Sequence, residues 1–192
     1  MFRHYLAAFS LFMLALTTSQ AHAANPEILI STNKGDIKLE LYQDKAPTTV
    51  ANFLTYIQQD GFKDSIFHRV IPEFMIQGGG FKTDYQRLAT NAPIKNEADN
   101  GLSNSRGTIA MARTNNPNSA TRQFFINHRN NPNLDQGAYG AGYAVFGKVT
   151  TGMDVVDAIA SVKTGTTSAM PGARDVPQSQ VVIKSIRLIE KD

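Results

Sequence analysis

One stretch limits this chain more than any other: Phe67-His68-Arg69-Val70-Ile71-Pro72-Glu73-Phe74-Met75-Ile76-Gln77-Gly78-Gly79-Gly80-Phe81. It sets one arginine among large apolar side chains, closes on a glutamine and runs into three glycines. Glycine admits a close backbone approach that a Cβ would obstruct. An arginine in such company is either paired structurally or faces a ligand that is mostly apolar. Taken alone, Arg69 reads as a surface or salt-bridged residue, and Phe74 and Met75 as core. The alternative is a greasy slot with one fixed cation in its wall, and the rest of the chain has to decide between them.

Around this stretch the apolar pattern is mainly that of β-structure. Ile28 and Ile30 alternate with Leu29 and Ser31, and Ile37, Leu39 and Leu41 with Lys38, Glu40 and Tyr42. With turn chemistry at Thr32-Asn33-Lys34-Gly35 between them, they form an antiparallel hairpin with one buried face. From Pro47 onward, Val50, Phe53, Leu54 and Ile57 recur at helical spacing, with Gly61 just past the end. This predicts an amphipathic helix of about a dozen residues.

Short apolar runs then recur between turns, at Ile66 to Ile71, Phe74 to Gln77, Thr108 to Met111, Gln123 to Asn127 and Ala144 to Val149. Their spacing favours a sandwich or barrel over alternating β and α units. A second helix is predicted from Met153 to Val162, and the chain closes on a β-rich run from Gln180 to Glu190. Strand alternation points Phe124 and Phe125 to opposite faces, so that one of them is core, and sends His68 to the face opposite Arg69. Lys82 to Arg106 is irregular, and reads as an ordered surface excursion beside the slot.

The first residues have the order of a secretory leader: Arg3 and His4, an apolar run from Tyr5 to Leu16, then Ala21-His22-Ala23 as a cleavage site. Residues 1–23 are expected to be removed, leaving residues 24–192 as one exported domain with no stable membrane insertion. There is no cysteine, which excludes disulfides, thiol nucleophiles and thiolate metal sites. Of the four histidines, only His68 and His128 lie beyond the leader, and neither has an acidic residue at metal-ligand spacing, so no metal site is expected. Asp84, Glu97, Asp99 and Asp135 could meet in space, but no spacing singles out a catalytic pair. The net charge of +3 is spread without a dense basic cluster, which argues against nucleic acid, and no heptads suggest more than a monomer.

What remains is a pocket without proton-transfer groups, and here the residues carry a resemblance. Phe67 to Pro72 followed by Phe74 to Gly79 resembles the signature of the cyclophilins, peptidyl-prolyl cis-trans isomerases, and of their bacterial periplasmic branch. Three further motifs follow in the family's order: Gly107-Thr108-Ile109-Ala110-Met111-Ala112, Ser119-Ala120-Thr121-Arg122-Gln123-Phe124-Phe125-Ile126, and Val145-Phe146-Gly147-Lys148-Val149. Four ordered motifs spanning nearly the whole of residues 24–192 are highly specific.

The resemblance implies a mainly β fold, a closed eight-stranded antiparallel barrel capped by two helices, with a groove on its outer wall. It implies Arg69 as the catalytic arginine, with Phe74 and Gln77 beside it. Met75, Phe125 and Leu134 match walls of the proline pocket, Gln123 a polar group of the groove, and Ala112 and Arg113 the segment whose backbone holds the substrate. Tyr143 stands where the family usually has a histidine. The implied partners are proline-containing peptides and unfolded exported proteins in the periplasm, with no cofactor. A proline-peptide-binding module and a barrel carrier with a ligand in its lumen are the rival readings.

Many eukaryotic members have a tryptophan before the Leu-Asp pair, where this chain has Asn133 before Leu134 and Asp135, and the chain has no tryptophan at all. That tryptophan is associated with cyclosporin binding. Weak inhibition by cyclosporin, with isomerase activity kept, is therefore expected in a peptide isomerisation assay; submicromolar inhibition would contradict it.

Overall fold

Alternating side chains become two-faced strands once they pair, and here the pairing closes on itself. The computed structural model describes residues 25–190, so the expected leader, residues 1–23, lies outside the described residues. The elements are β1 (Glu27–Thr32), β2 (Gly35–Leu41), α1 (Pro47–Gln58), β3 (Ser65–Ile71), β4 (Met75–Lys82), β5 (Thr108–Met111) and β6 (Phe124–Asn127). They continue with β7 (Val145–Thr151), α2 (Met153–Ala160), β8 (Thr164–Gly165), β9 (Val176–Pro177) and β10 (Val181–Ile189). Eight strands form a closed barrel in the order β1-β10-β3-β4-β6-β5-β7-β2, every pair antiparallel. Closure leaves these strands no open edge. The short β8 and β9 pair separately.

The inward side chains fill the barrel. Ile28 and Ile30 of β1 and Ile37, Leu39 and Leu41 of β2 are fully buried in one cluster, which Val50, Phe53 and Tyr56 of α1 and Val156 and Ile159 of α2 join. Phe124 lies at its centre, its ring meeting those of Phe53, Phe62 and Phe67 edge-on at 5.5 to 5.9 Å. A lumen occupied by side chains has no room for a carried ligand, which removes that rival.

Two expectations about local structure need correcting. The second helix stops at Ala160, two residues early, because Val162 N–H turns back to the Ile159 carbonyl in a tighter bend toward β8. The expectation that His68 faces away from Arg69 also fails. Phe67 pairs with Gly78 and Arg69 with Gln77, so two steps on β3 match one on β4. This β-bulge resets the alternation. Phe67 and Val70 both enter the core, while His68 and Arg69 line one outer cavity.

The three glycines lie within β4, where they permit the close approach that the sequence suggested. Gly79 has φ +80°, and a Cβ there would stand 2.9 Å from Phe124 and 3.0 Å from Phe62.

Several contacts hold the excursion from residue 82 to 106, those of Glu97 and Arg122 among them. Glu97 accepts hydrogen bonds from Thr48 N–H (3.1 Å), Thr49 N–H (2.8 Å) and the Thr49 hydroxyl (2.7 Å), capping α1 from outside the helix. Burial alone would raise this carboxyl's pKa, but the threonine hydrogen bonds outweigh it and lower it. Arg122, 4% exposed, donates to the carbonyls of Gly79 (2.7 Å), Ala89 (2.6 Å) and Gly61, with its guanidinium over the Tyr56 ring at 4.9 Å. It thereby joins β4, the excursion and the end of α1.

Each buried carbonyl stripped of its donor costs on the order of 1 to 3 kcal/mol. Of the three carbonyls only that of Gly79 belongs to a fully buried residue, so Arg122→Leu is expected to lower the unfolding free energy by at least about 1 to 3 kcal/mol. Urea denaturation would read this as a lower midpoint, and an unchanged midpoint would contradict the assignment.

Candidate active site

The alternation that sends Phe124 inward sends Phe125 outward, and there it meets a second apolar cluster. Met75, Ala110, Phe125 and Val145 are buried together, with Phe74, Ala112, Leu134 and Tyr143 packed on them. Polar groups from β3, β4 and the segment after β5 stand at the edge of this cluster. The result is a cavity of about 110 Å³, walled by Phe74, Met75, Phe125 and Leu134 and bordered by Arg69, Gln77, Ala112, Arg113 and Tyr143. Nine of the ten residues singled out in the sequence thus line one hollow. The tenth, Gln123, touches it through Gln77, whose Nε2 donates to Gln123 Oε1 at 2.9 Å.

Arg69 is aligned with Gln77 by the bulged pairing, and one of its terminal nitrogens lies 3.5 Å from Gln77 Oε1. Its Nε lies 3.7 Å from Asp175 Oδ2, with both side chains nearly half exposed. Both contacts exceed a good hydrogen-bond length, and an exposed ion pair of this kind is weak. The guanidinium is steered by two neighbours without being consumed by either. On its other flank, His68 is 6% exposed and its ring packs 4.6 Å from that of Phe81. Burial, then the charges of Arg69 and Arg87, hold its imidazole down at about 4, so it is neutral at ordinary pH.

The opposite wall rests on buried amides that sequence reasoning missed. Asn131 donates to the Phe74 carbonyl (2.9 Å) and to Asn127 Oδ1 (2.7 Å), and Asn127 donates to Thr108 Oγ1 (2.9 Å). Asn104 donates through both backbone and side chain to Asp135 Oδ1, at 2.6 and 2.9 Å. Tyr143 N–H donates to the Leu134 carbonyl at 2.9 Å. These bonds fix Phe74, Leu134 and Tyr143 relative to one another. Their only trace in the sequence is an asparagine closing the apolar run that ends at Asn127. Tyr143 sets its ring edge-on to Phe125 at 5.7 Å and under the Arg113 guanidinium at 4.4 Å.

Three of the four carboxylates left open as possible catalytic pairs do separate work. Glu97 caps α1, Asp135 holds Asn104, and Asp84 accepts from Gln86 N–H. His128, isolated in sequence, accepts from Glu73 N–H at 3.0 Å and sits 3.1 Å from Asp157, pinning the turn before β4.

A model of the family described as cyclophilin type peptidyl-prolyl cis-trans isomerase/CLD matches residues 27–188. The chain is a cyclophilin. It is 54% identical over 169 residues to a peptidyl-prolyl cis-trans isomerase of Acinetobacter baylyi, covering 88% of each chain. It is 50% identical over 166 residues to peptidyl-prolyl cis-trans isomerase B of Escherichia coli, covering 85% of this chain and 99% of the relative. A cyclophilin type isomerase structure from Cryptosporidium parvum superposes with a TM-score of 0.70 at 26% identity, over 88% of this chain and 99% of the other. The same Cryptosporidium protein has been solved in the presence of the dipeptide Ala-Pro, at the same TM-score. This cyclophilin is therefore an enzyme of the peptidyl-prolyl isomerase class.

Gly80 offers a test of the polar side of the cavity. A Cβ there would stand 2.5 Å from the side chain of Gln123, which can swing away only by releasing Gln77. A neutral hydrogen bond contributes about 0.5 to 1.5 kcal/mol. Gly80→Ala is expected to keep the fold by circular dichroism and to lose roughly twofold to tenfold in kcat/KM; full activity would show that the Gln77–Gln123 contact is dispensable.

Proposed function

We propose that this cyclophilin accelerates rotation about X-Pro bonds in exported polypeptides, with Arg69 stabilising the twisted amide. An X-Pro amide rotates over a barrier of about 20 kcal/mol because twisting breaks its resonance, and uncatalysed exchange takes tens of seconds or longer. In the planar amide the nitrogen lone pair is delocalised and accepts hydrogen bonds poorly. In the twisted state it localises and becomes an acceptor. A donor aimed at that nitrogen acts on the transition state and leaves the ground state alone.

Each group has a part in this scheme. Phe74, Met75, Phe125 and Leu134 hold the pyrrolidine ring and exclude water, which strengthens the field of the nearby cation. Arg69 supplies a permanent charge and a rigid fork of donors. Gln77 and the backbone at Ala112 and Arg113 hold the chain on one side, so that only the other side turns. Gln123 and Tyr143 keep Gln77 and the apolar wall in place. The observation that carries the reading is a guanidinium at the mouth of an apolar hollow, with its carboxylate neighbour at 3.7 Å and off its terminal nitrogens. Peptide binding alone would not call for that cation.

The periplasmic setting rests on the leader pattern of residues 1–23. Among the described residues no helix is long and apolar enough to cross a membrane. Unfolded exported chains, whose prolines are still exchanging, are the proposed clients.

Removing a well-placed donor to a developing charge costs on the order of 10²- to 10³-fold in rate. Arg69→Ala is expected to lose that much in an exchange assay on an Ala-Pro peptide while its thermal transition stays close to that of the parent. Near-normal turnover would overturn the mechanism.

A further inference from the structure

We infer that the outer cavity behind Arg69 is a second subsite, which receives an acidic residue flanking the proline of the substrate. The inference rests on the isomerase reading and names the class of peptide that the site prefers. The cavity measures about 400 Å³, well above the 110 Å³ of the proline hollow, and Arg69 lines both. A side chain entering the larger space thus belongs to the same peptide whose proline fills the smaller one.

Its chemistry differs from that of the proline hollow. Phe81, Met170 and Val176 supply apolar wall, while Arg69, Arg87 and Arg174 bring three guanidinium groups against the single carboxylate of Asp175. The only ion pair among these is the long one between Asp175 and Arg69. Arg87 lies over the Phe81 ring at 5.1 Å, and among the described residues neither Arg87 nor Arg174 has a carboxylate partner. Arginines that stand unpaired around a partly apolar recess are suited to a carboxylate carried on a short aliphatic stem.

A separate observation marks the same wall. His68 is 94% buried within it, and among the described residues its Nδ1 has no hydrogen-bond partner. Leaving such a nitrogen unpaired is unfavourable, so stability alone does not account for a histidine here. Because the imidazole is held neutral, it does not add to the positive charge, and selection for an anion falls to the arginines. The bulge in β3 is what delivers His68 and Arg69 to this side together.

The test uses NMR exchange spectroscopy on the full protein with an Ala-Ala-Pro-Ala-Ala parent peptide, and with Glu or Gln placed at each flanking position in turn. At one position Glu is expected to be turned over about fivefold better than Gln, through a lower KM, with the preference shrinking as salt is raised. The exposed double variant Arg87→Gln, Arg174→Gln is expected to lose that preference and to process the parent peptide like the wild type. Equal turnover of Glu and Gln peptides at every position, or a preference that survives in the double variant, overturns the subsite. Failure to accelerate the parent peptide at all would instead overturn the isomerase reading.

Discussion

The arrangement of this molecule depends on one buried cation without a buried anion. Arg122 offers its donors to three main-chain carbonyls, from β4, from the end of α1 and from the long excursion, and stacks on an aromatic ring. A guanidinium can serve such scattered acceptors because its donors are spread over a rigid plane. Burial pulls its pKa down, against the nearby Tyr56, yet from a starting value so high that the charge is kept. Its chain neighbour Gln123 continues the connection outward through Gln77 to Arg69. The residue that anchors the framework thereby sits next to the first member of the polar row that borders the apolar hollow.

A filled barrel leaves chemistry only its outer wall. Because side chains alternate along a strand, each inward Phe124 has an outward Phe125, and a wall one strand thick carries two apolar clusters back to back. The inner cluster supplies cohesion. The outer one supplies a surface whose shape is inherited from a rigid sheet, which suits a reaction where positioning and electrostatics have to do nearly everything.

What could be read in advance was whatever depended on local pattern. The hairpin of β1 and β2, helix α1 and the opposite facing of Phe124 and Phe125 follow from periodicity. The grouping of Arg69, Phe74, Met75, Gln77 and Phe125 rests on family motifs, since side-chain type alone places each of the two phenylalanines and the methionine in the core by default. What escaped was set by pairing across the chain. A bulge is defined by the partner strand, so nothing in Phe67-His68-Arg69 announces that His68 and Arg69 share a side. Glu97 as a cap for α1, Asp175 beside Arg69, Asn104 with Asn127 and Asn131 with the Phe74 carbonyl are contacts between segments far apart in sequence. Each involves a polar side chain of a type common on surfaces, so its identity alone carries little signal.

The order of strands around the barrel also bears on how the chain assembles. β10 stands between β1 and β3, so the last of the eight strands to be made is the stave that shuts the ring. Until it leaves the ribosome, the other seven strands can form at most an open sheet with two unpaired margins and an uncovered greasy face. Such a nascent barrel stays pliable until that strand emerges and becomes vulnerable to sticking if elongation stalls before it, because the contact that locks the ring joins its first strand to its last.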